Sequence, residues 1–119
     1  MVVIRAREHA EAPLRLLFVC TANIARSPYA ERRAAQLLRE HGGGGLLVGV
    51  SSAGVPGVPG RGMDVGMAAQ LRARGAEPNG HVSRVLSRDQ LAQAELVLTF
   101  EFAHRLRIAE AWPDHAGKV

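Results

Sequence analysis

The chain has 119 residues, of which 47% are hydrophobic and 22% are charged, and these values are typical of one soluble globular domain. It contains no apolar run near the roughly 20 residues of a membrane span, no recognisable signal peptide and a single cysteine, so we expect a cytoplasmic protein without an internal disulfide. The net charge of +4 comes from arginines spread over the whole chain, and only 4% of the residues are aromatic, which argues against nucleic-acid binding.

The first half of the chain predicts two strands with one helix between them. Residues 1–13 have mixed charge and are interpreted as an N-terminal extension, and residues 14–119 as the domain itself. Apolar runs predict strands over residues 14–19 and 46–50, and helical spacing predicts a helix over residues 30–41. We expect the charges of this helix, Glu31 among them, to face water. Its end is marked by glycines 42–45, and Ser51-Ser52-Ala53-Gly54 closes the second strand.

The second half adds one strand and three helices. Asp64 is a suitable N-cap for a helix that ends near Arg74. A capping-box pattern over residues 87–90 opens a short helix, residues 95–100 form a strand, and residues 101–112 form a helix. This alternation of strands and helices predicts an α/β fold, a doubly wound parallel sheet with helices on both faces.

One loop carries the chemistry that the other segments position. Cys20 follows the first strand at once, and Arg26, Ser27 and Pro28 stand near the start of the next helix. Backbone N–H groups and the helix dipole favour an anion at such a loop, and they also stabilise a thiolate. Arg26 can offer two donors to a phosphate, Ser27 can donate to the thiolate, and Asn23 tolerates left-handed backbone. Residues 20–27 therefore predict a phosphate cup with a nucleophile at its base.

The segment CTANIARSPYAE, residues 20–31, resembles the C-x5-R-[ST] signature of the low molecular weight protein tyrosine phosphatases. Further features match the family in order along the chain: Ser52-Ala53-Gly54 at the end of the second strand, His81 before the third helical segment, and His104-Arg105 after the third strand. The resemblance covers essentially residues 14–119, and it implies a flavodoxin-like strand order.

The resemblance also implies a reaction and the residues that perform it. Phosphotyrosine-type aryl phosphates would be hydrolysed through a phosphocysteine on Cys20, with Arg26 and Ser27 as its catalytic partners. Ser52 and His81 would hold Asn23 in place. The family uses no metal ion or other cofactor, and the implied partners are a phosphotyrosine protein or small aryl phosphate, and inorganic phosphate. The phosphate would be bound by the loop residues Thr21, Ala22, Asn23, Ile24 and Ala25.

The chain departs from the family pattern in ways that bear on its function. The Asp-Pro pair that supplies the family's general acid occurs nowhere in the sequence, so we expect either a domain truncated at its last strand or a degenerate member. A degenerate member would bind phosphate or phosphopeptides with weak catalysis. Ala25 replaces a cysteine that resolves oxidation in many relatives. Ile24 replaces the threonine of phosphoarginine-directed relatives, which favours an aryl phosphate. An arsenate reductase that uses an external thiol is a further alternative.

The remaining titratable residues are assigned lesser roles. One cysteine and scattered histidines give no recognisable metal-ligand spacing. Asp64 and Asp114 are the first candidates for a substitute general acid. The histidines interpreted as structural or exposed, because they fall on predicted helices or termini, are His9, His41, His104 and His115.

Overall fold

The computed structural model describes residues 14–41 and 47–119. Within these ranges the sheet has three parallel strands, β1 (Leu14–Cys20), β2 (Leu47–Gly54) and β3 (Leu96–Thr99), in the order β2-β1-β3. The first strand is central, so the parallel sheet with flavodoxin-like order predicted from the sequence is confirmed. The predicted N-terminal extension, the glycine run and residue 46 lie outside the described residues.

The helices begin at the caps that the sequence indicates. Asp64 accepts a hydrogen bond from the N–H of Met67 at 3.0 Å, and Ser87 forms a reciprocal capping box with Gln90. No helix in the described part of the chain is long and apolar enough to cross a bilayer. The helices are α1 (Arg26–His41), α2 (Val65–Ala73), α3 (Arg88–Gln93) and α4 (Phe102–Ala111), followed by a 3-10 helix at Pro113–Lys118.

Helices cover both faces of the sheet. Leu17 and Val19 of β1 are fully buried on one face, in a core that includes Leu91 of α3 and Ile108 of α4. Phe18 points to the opposite face because side chains alternate along a strand. There it lines an apolar groove of about 640 Å³ together with residues of α1, α2 and the segment after β3. The predicted layering on two faces is therefore confirmed.

Two element boundaries differ from the predictions by four residues. β2 continues to Gly54, four residues past its predicted end, because each of its last residues pairs with β1 and Gly54 itself pairs with Cys20. α1 begins at Arg26, four residues before its predicted start, because a helix accepts Pro28 in its first turn. The loop between β1 and α1 is consequently shorter than predicted, and Arg26 and Ser27 belong to the helix.

Candidate active site

The carboxyl ends of the three parallel strands meet at one edge of the sheet, and residues 21–25 cross this edge between β1 and α1. Gly54, the last residue of β2, lies directly against this loop. A Cβ atom built on Gly54 would stand 2.8 Å from both the Thr21 carbonyl oxygen and the Ala22 carbonyl carbon. Residue 54 must therefore be glycine for the loop to pass over the end of β2.

The carbonyl groups of the loop are bound by segments outside it. They accept backbone hydrogen bonds of 2.8 to 3.3 Å. The carbonyl of Cys20 accepts from the N–H of Val55, that of Thr21 from Gly57, that of Ala22 from Val58 and that of Ile24 from Asp64. The N–H and C=O groups of a trans peptide point in opposite directions, so the N–H groups of the loop face its interior. The loop is thus a cup of backbone donors, a geometry that binds phosphate or sulfate.

Asn23 sets the bend of this cup. Its φ is +64°, in the left-handed region that the sequence led us to expect, and its side chain is fully buried. The amide nitrogen donates to Ser27 Oγ at 2.8 Å and to Ser52 Oγ at 2.9 Å, and the amide oxygen accepts from the N–H of Arg84 at 2.9 Å. A backbone N–H can only donate, so the bond from Arg84 fixes which way the amide points.

Cys20 lies buried at the base of the cup. Its Sγ is 2.9 Å from Ser27 Oγ, and the N–H of Ser27 donates to the same sulfur at 3.4 Å. Ser27 Oγ already accepts from Asn23, and its second possible acceptor, the carbonyl of Ala53, is farther away at 3.4 Å. A thiolate can only accept hydrogen bonds, so it receives the hydroxyl hydrogen of Ser27. A Cys20 thiolate would therefore have two donors here, the hydroxyl and the backbone N–H of Ser27.

Glu31, expected to face water, is instead the last acceptor in this network. Ser52 Oγ donates to Glu31 Oε1 at 2.5 Å, and the Glu31 side chain is only 19% exposed. A carboxylate accepts only, so the Ser52 hydrogen points to Glu31 and a Ser52 lone pair receives Asn23. We call Cys20, Ser27, Asn23, Ser52 and Glu31 the thiolate network. The sequence contained one indication of this position: Glu31 lies four residues after Ser27, on the same face of α1.

His81 supports the cup through the backbone of Asn23. It is buried, and its Nε2 lies 2.8 Å from the Asn23 carbonyl oxygen. A carbonyl accepts only, so the hydrogen of His81 is on Nε2. Ser52 and His81, which the resemblance placed beside Asn23, therefore contact it from β2 and from the loop before α3.

Arg26 joins the cup to the segment that follows β3. Its Nη1 donates to Glu101 Oε2 at 2.7 Å, and its guanidinium carbon lies 6.0 Å from the ring centre of Phe100. The hydrogen bond and charge of Arg26 lower the pKa of Glu101, so this carboxylate is ionised at neutral pH. Glu101, which the sequence did not single out, holds the guanidinium while other Arg26 N–H groups are left for a ligand.

His104, interpreted from the sequence as structural or exposed, is buried and contacts the cup. Its Nε2 lies 2.9 Å from Thr21 Oγ1, and its Nδ1 accepts from the N–H of Glu101 at 3.2 Å. Burial is the main cause that lowers its pKa, and the imidazole is therefore neutral at pH 7. Sequence offered one signal: His104 stands three residues after Glu101, at the position that completes the capping box of α4.

The other candidates are placed as follows. Asp64 lies beside the cup through its backbone, while its side chain caps α2. Asp114 pairs with Arg88 at 2.6 Å and follows α4, which begins at the cup edge and extends about 15 Å away from it. Ile24 and Ala25 are half-buried in the loop. Residues 14–41 and 47–119 bring together no group of three or more His, Cys, Asp or Glu side chains suited to a metal ion.

Comparisons with known proteins identify relatives along almost the whole chain. A family model described as low molecular weight phosphotyrosine protein phosphatase matches residues 15–119. The low molecular weight protein-tyrosine-phosphatase Wzb of Escherichia coli strain K12 is 36% identical over 104 residues, which cover 87% of this chain. The matched part spans 66% of that relative, just under two thirds of its length.

Solved structures share the fold described above. The YwlE arginine phosphatase from Geobacillus stearothermophilus superposes with a TM-score of 0.76 and 35% identity, covering 89% of this chain and 64% of its own. The tyrosine phosphatase Wzb from Escherichia coli K30, solved in complex with sulphate, gives a TM-score of 0.76 and 27% identity, covering 90% of this chain and 70% of its own. Both proteins are longer than the present chain.

Proposed function

Because the chain belongs to the low molecular weight phosphotyrosine protein phosphatase family, we propose that it hydrolyses phosphate monoesters through a phosphocysteine on Cys20. The thiolate attacks phosphorus, the bond from phosphorus to the leaving oxygen breaks, and that oxygen leaves as an anion that takes up a proton from water. Water then attacks the phosphocysteine, the sulfur–phosphorus bond breaks, and inorganic phosphate leaves with the thiolate restored.

One observation carries this proposal: the only thiol of the chain lies at the base of a cup of backbone donors. Ser27 Oγ, 2.9 Å from Cys20 Sγ, stabilises the thiolate before attack and again when the sulfur leaves. The inward N–H groups of residues 21–25 would bind the equatorial oxygens of the phosphoryl group. The Wzb structure, which shares this fold, was solved in complex with sulphate, and this supports a protein of this fold that binds an oxyanion.

Arg26 would supply the remaining transition-state stabilisation. A guanidinium presents donors in a planar fork that matches two oxygens of a phosphate. Glu101 orients this fork at 2.7 Å from one of its nitrogens, so less orientational freedom is lost when the ligand binds. Charge that develops on the phosphoryl oxygens would thus meet donors that are already in position.

For the substrate class we propose phosphotyrosine-type aryl phosphates on a protein or small molecule. The names of the relatives support two classes, since Wzb is a tyrosine phosphatase and YwlE an arginine phosphatase. Isoleucine at position 24, where phosphoarginine-directed relatives have threonine, favours the aryl ester. Initial rates on phosphotyrosine and phosphoarginine peptides, compared between the natural chain and Ile24→Thr, test this choice. A natural chain that prefers phosphoarginine would overturn it.

We also propose a cytoplasmic location, which the lone cysteine supports.

The decisive experiment is turnover of p-nitrophenyl phosphate by the natural chain and by Cys20→Ser. We expect Cys20→Ser to abolish turnover while inorganic phosphate still binds, and rapid acid quenching of the natural chain to trap phosphate on its single cysteine. Undiminished turnover by Cys20→Ser would end the proposed mechanism. Phosphate binding without turnover by the natural chain would identify a phosphate-binding protein instead, and arsenate reduction with an external thiol would identify an arsenate reductase.

A further inference from the structure

Four residues at the rim of the cup form a closed ring of hydrogen bonds. Arg26 Nη1 donates to Glu101 Oε2 at 2.7 Å, and the backbone N–H of Glu101 donates to His104 Nδ1 at 3.2 Å. His104 Nε2 lies 2.9 Å from Thr21 Oγ1, and Arg26 Nη2 returns to the same oxygen at 3.4 Å. We call these four residues the rim ring. It connects the first residue of the cup to the beginning of α4.

The hydrogen positions in the rim ring follow from its geometry. His104 Nδ1 accepts from a backbone N–H, so this nitrogen carries no hydrogen. A neutral imidazole holds its single hydrogen on the other nitrogen, and His104 Nε2 therefore donates to Thr21 Oγ1. Arg26 can only donate, so the Thr21 oxygen accepts from Arg26 as well.

Both acceptor positions of the Thr21 hydroxyl are thus occupied, and only its hydrogen is left to form a further bond. In the described part of the chain no protein group accepts this hydrogen, and Thr21 is exposed. The hydroxyl lies within 3.4 Å of the guanidinium nitrogen that would hold a phosphate oxygen. An anion on Arg26 is therefore within reach of a hydroxyl that can act only as a donor.

We propose that the Thr21 hydroxyl donates a hydrogen bond to an oxygen of the bound phosphate, and that His104 is a positioning residue that imposes this direction. The proposal rests on the proposed function, since it assigns two further residues to the same oxyanion site. It adds a side-chain donor to the backbone donors of the cup, and it gives the capping box of α4 a role in ligand binding.

The test uses inorganic phosphate as the probe and isothermal calorimetry on the full 119-residue chain. Thr21→Val keeps the shape of the side chain without its hydroxyl, and we expect phosphate affinity to fall about 10-fold or more, the scale of a hydrogen bond to a charged group. Thr21→Ser keeps the hydroxyl and should restore most of the affinity. The same order is expected in kcat/KM for p-nitrophenyl phosphate.

His104 is tested with a matched pair of amides. His104→Asn places an oxygen near the position of Nδ1 and preserves the capping box, but it removes the donor at Nε2. His104→Gln places its amide nitrogen near the position of Nε2, and glutamine is an ordinary capping-box residue. We expect His104→Asn to weaken phosphate binding as Thr21→Val does, and His104→Gln to restore it. The double variant Thr21→Val with His104→Asn should bind phosphate no more weakly than Thr21→Val alone, because both changes remove the same hydrogen bond.

The outcomes separate this proposal from the proposed function. If the natural chain binds no phosphate and turns over no ester, the oxyanion site itself is wrong. If the natural chain binds phosphate and Thr21→Val binds it equally well, the role of the hydroxyl is wrong. If His104→Asn lowers the melting temperature but leaves phosphate affinity unchanged, His104 serves only the helix. Should His104→Asn fail to fold, Thr21→Val still decides, because Thr21 is exposed.

Discussion

Glu31 accepts a hydrogen bond of 2.5 Å from Ser52, a residue 21 positions later on the neighbouring strand β2. This bond fixes the hydrogen of Ser52, so that Ser52 Oγ accepts from the Asn23 amide, whose own direction is fixed by the N–H of Arg84. Glu31 does not approach the sulfur itself. Its charge nevertheless favours the arrangement in which Ser27 donates to Cys20, because neighbouring hydrogen bonds polarise one another.

Glu31→Gln is the first prediction. The amide removes the charge and also offers an NH2 group that can donate to Ser52 and reverse its hydrogen. We expect kcat for p-nitrophenyl phosphate to fall about five-fold, since a neutral bond replaces a charged one at a difference of about 1 kcal/mol. Glu40→Gln, an exposed change on the same helix, is the control. Equal kcat for the two variants would show that Glu31 has no influence on the thiolate.

Arg26→Lys is the second prediction. Lysine keeps the positive charge but offers no planar fork, so it cannot bind Glu101 and two phosphate oxygens with fixed geometry. We expect turnover of p-nitrophenyl phosphate to fall by at least about 10²-fold, the scale for removal of a transition-state donor. Arg39→Lys, at an exposed position near the end of α1, should leave the rate unchanged. A near-normal rate for Arg26→Lys would mean that Arg26 serves the fold alone.

The third prediction concerns the leaving group. These 119 residues include no Asp-Pro pair, so in an assay of this chain the leaving oxygen of the substrate would depart without the general acid that the family resemblance implies. Nitrophenolate is a stable anion and can leave unaided, whereas the phenolate of tyrosine needs a proton. General acid catalysis contributes about 10²- to 10⁴-fold, so the 119-residue chain should turn over phosphotyrosine slower than p-nitrophenyl phosphate by about this factor. The measurement is kcat/KM for both substrates.

Equal rates on the two substrates would contradict the third prediction, provided that phosphorylation of Cys20 limits the rate. Another residue would then supply the proton. Asp64, whose backbone contacts the cup, would be replaced by asparagine first. Asp114→Asn would follow as the comparison, because Asp114 lies beyond the far end of α4 and is bound to Arg88.

The fourth prediction is a pH dependence of the free energy of unfolding. Burial lowers the pKa of His104 in the folded chain, Glu101 partly opposes this effect, and Arg26 adds to it. Between the lowered pKa and the ordinary value near 6.5, the unfolded chain binds a proton that the folded chain does not. The stability contributed by neutral His104 is therefore complete above about pH 6.5 and is lost as the pH falls through this window.

Urea unfolding at a series of pH values between 5 and 8 measures this effect. His104→Gln cannot titrate, so the difference in free energy of unfolding between the natural chain and this variant isolates His104 from the other histidines and carboxylates. We expect the natural chain to lose stability relative to His104→Gln as the pH falls. A difference that is constant with pH would show that His104 titrates alike in both states.

Local sequence patterns were sufficient to predict the conformation of a segment where that segment determines its own conformation. The caps at Asp64 and Ser87 and the left-handed backbone of Asn23 depend on residues within a few positions, so the sequence predicted them. The order of strands and helices followed from hydrophobic periodicity. Cys20 and Arg26 could be placed at one anion site for the same reason, since five loop residues separate them.

Only the tertiary structure decided which distant residues complete the site. Glu101 meets Arg26 across 75 positions and His104 meets Thr21 across 83, and both contacts depend on β3 lying beside β1 with the register Val19 to Thr99. No local pattern specifies such a register. β2 extends past its predicted end for the same reason. The composition of its last residues is typical of a turn, but their backbone N–H and C=O groups are satisfied by pairing with β1.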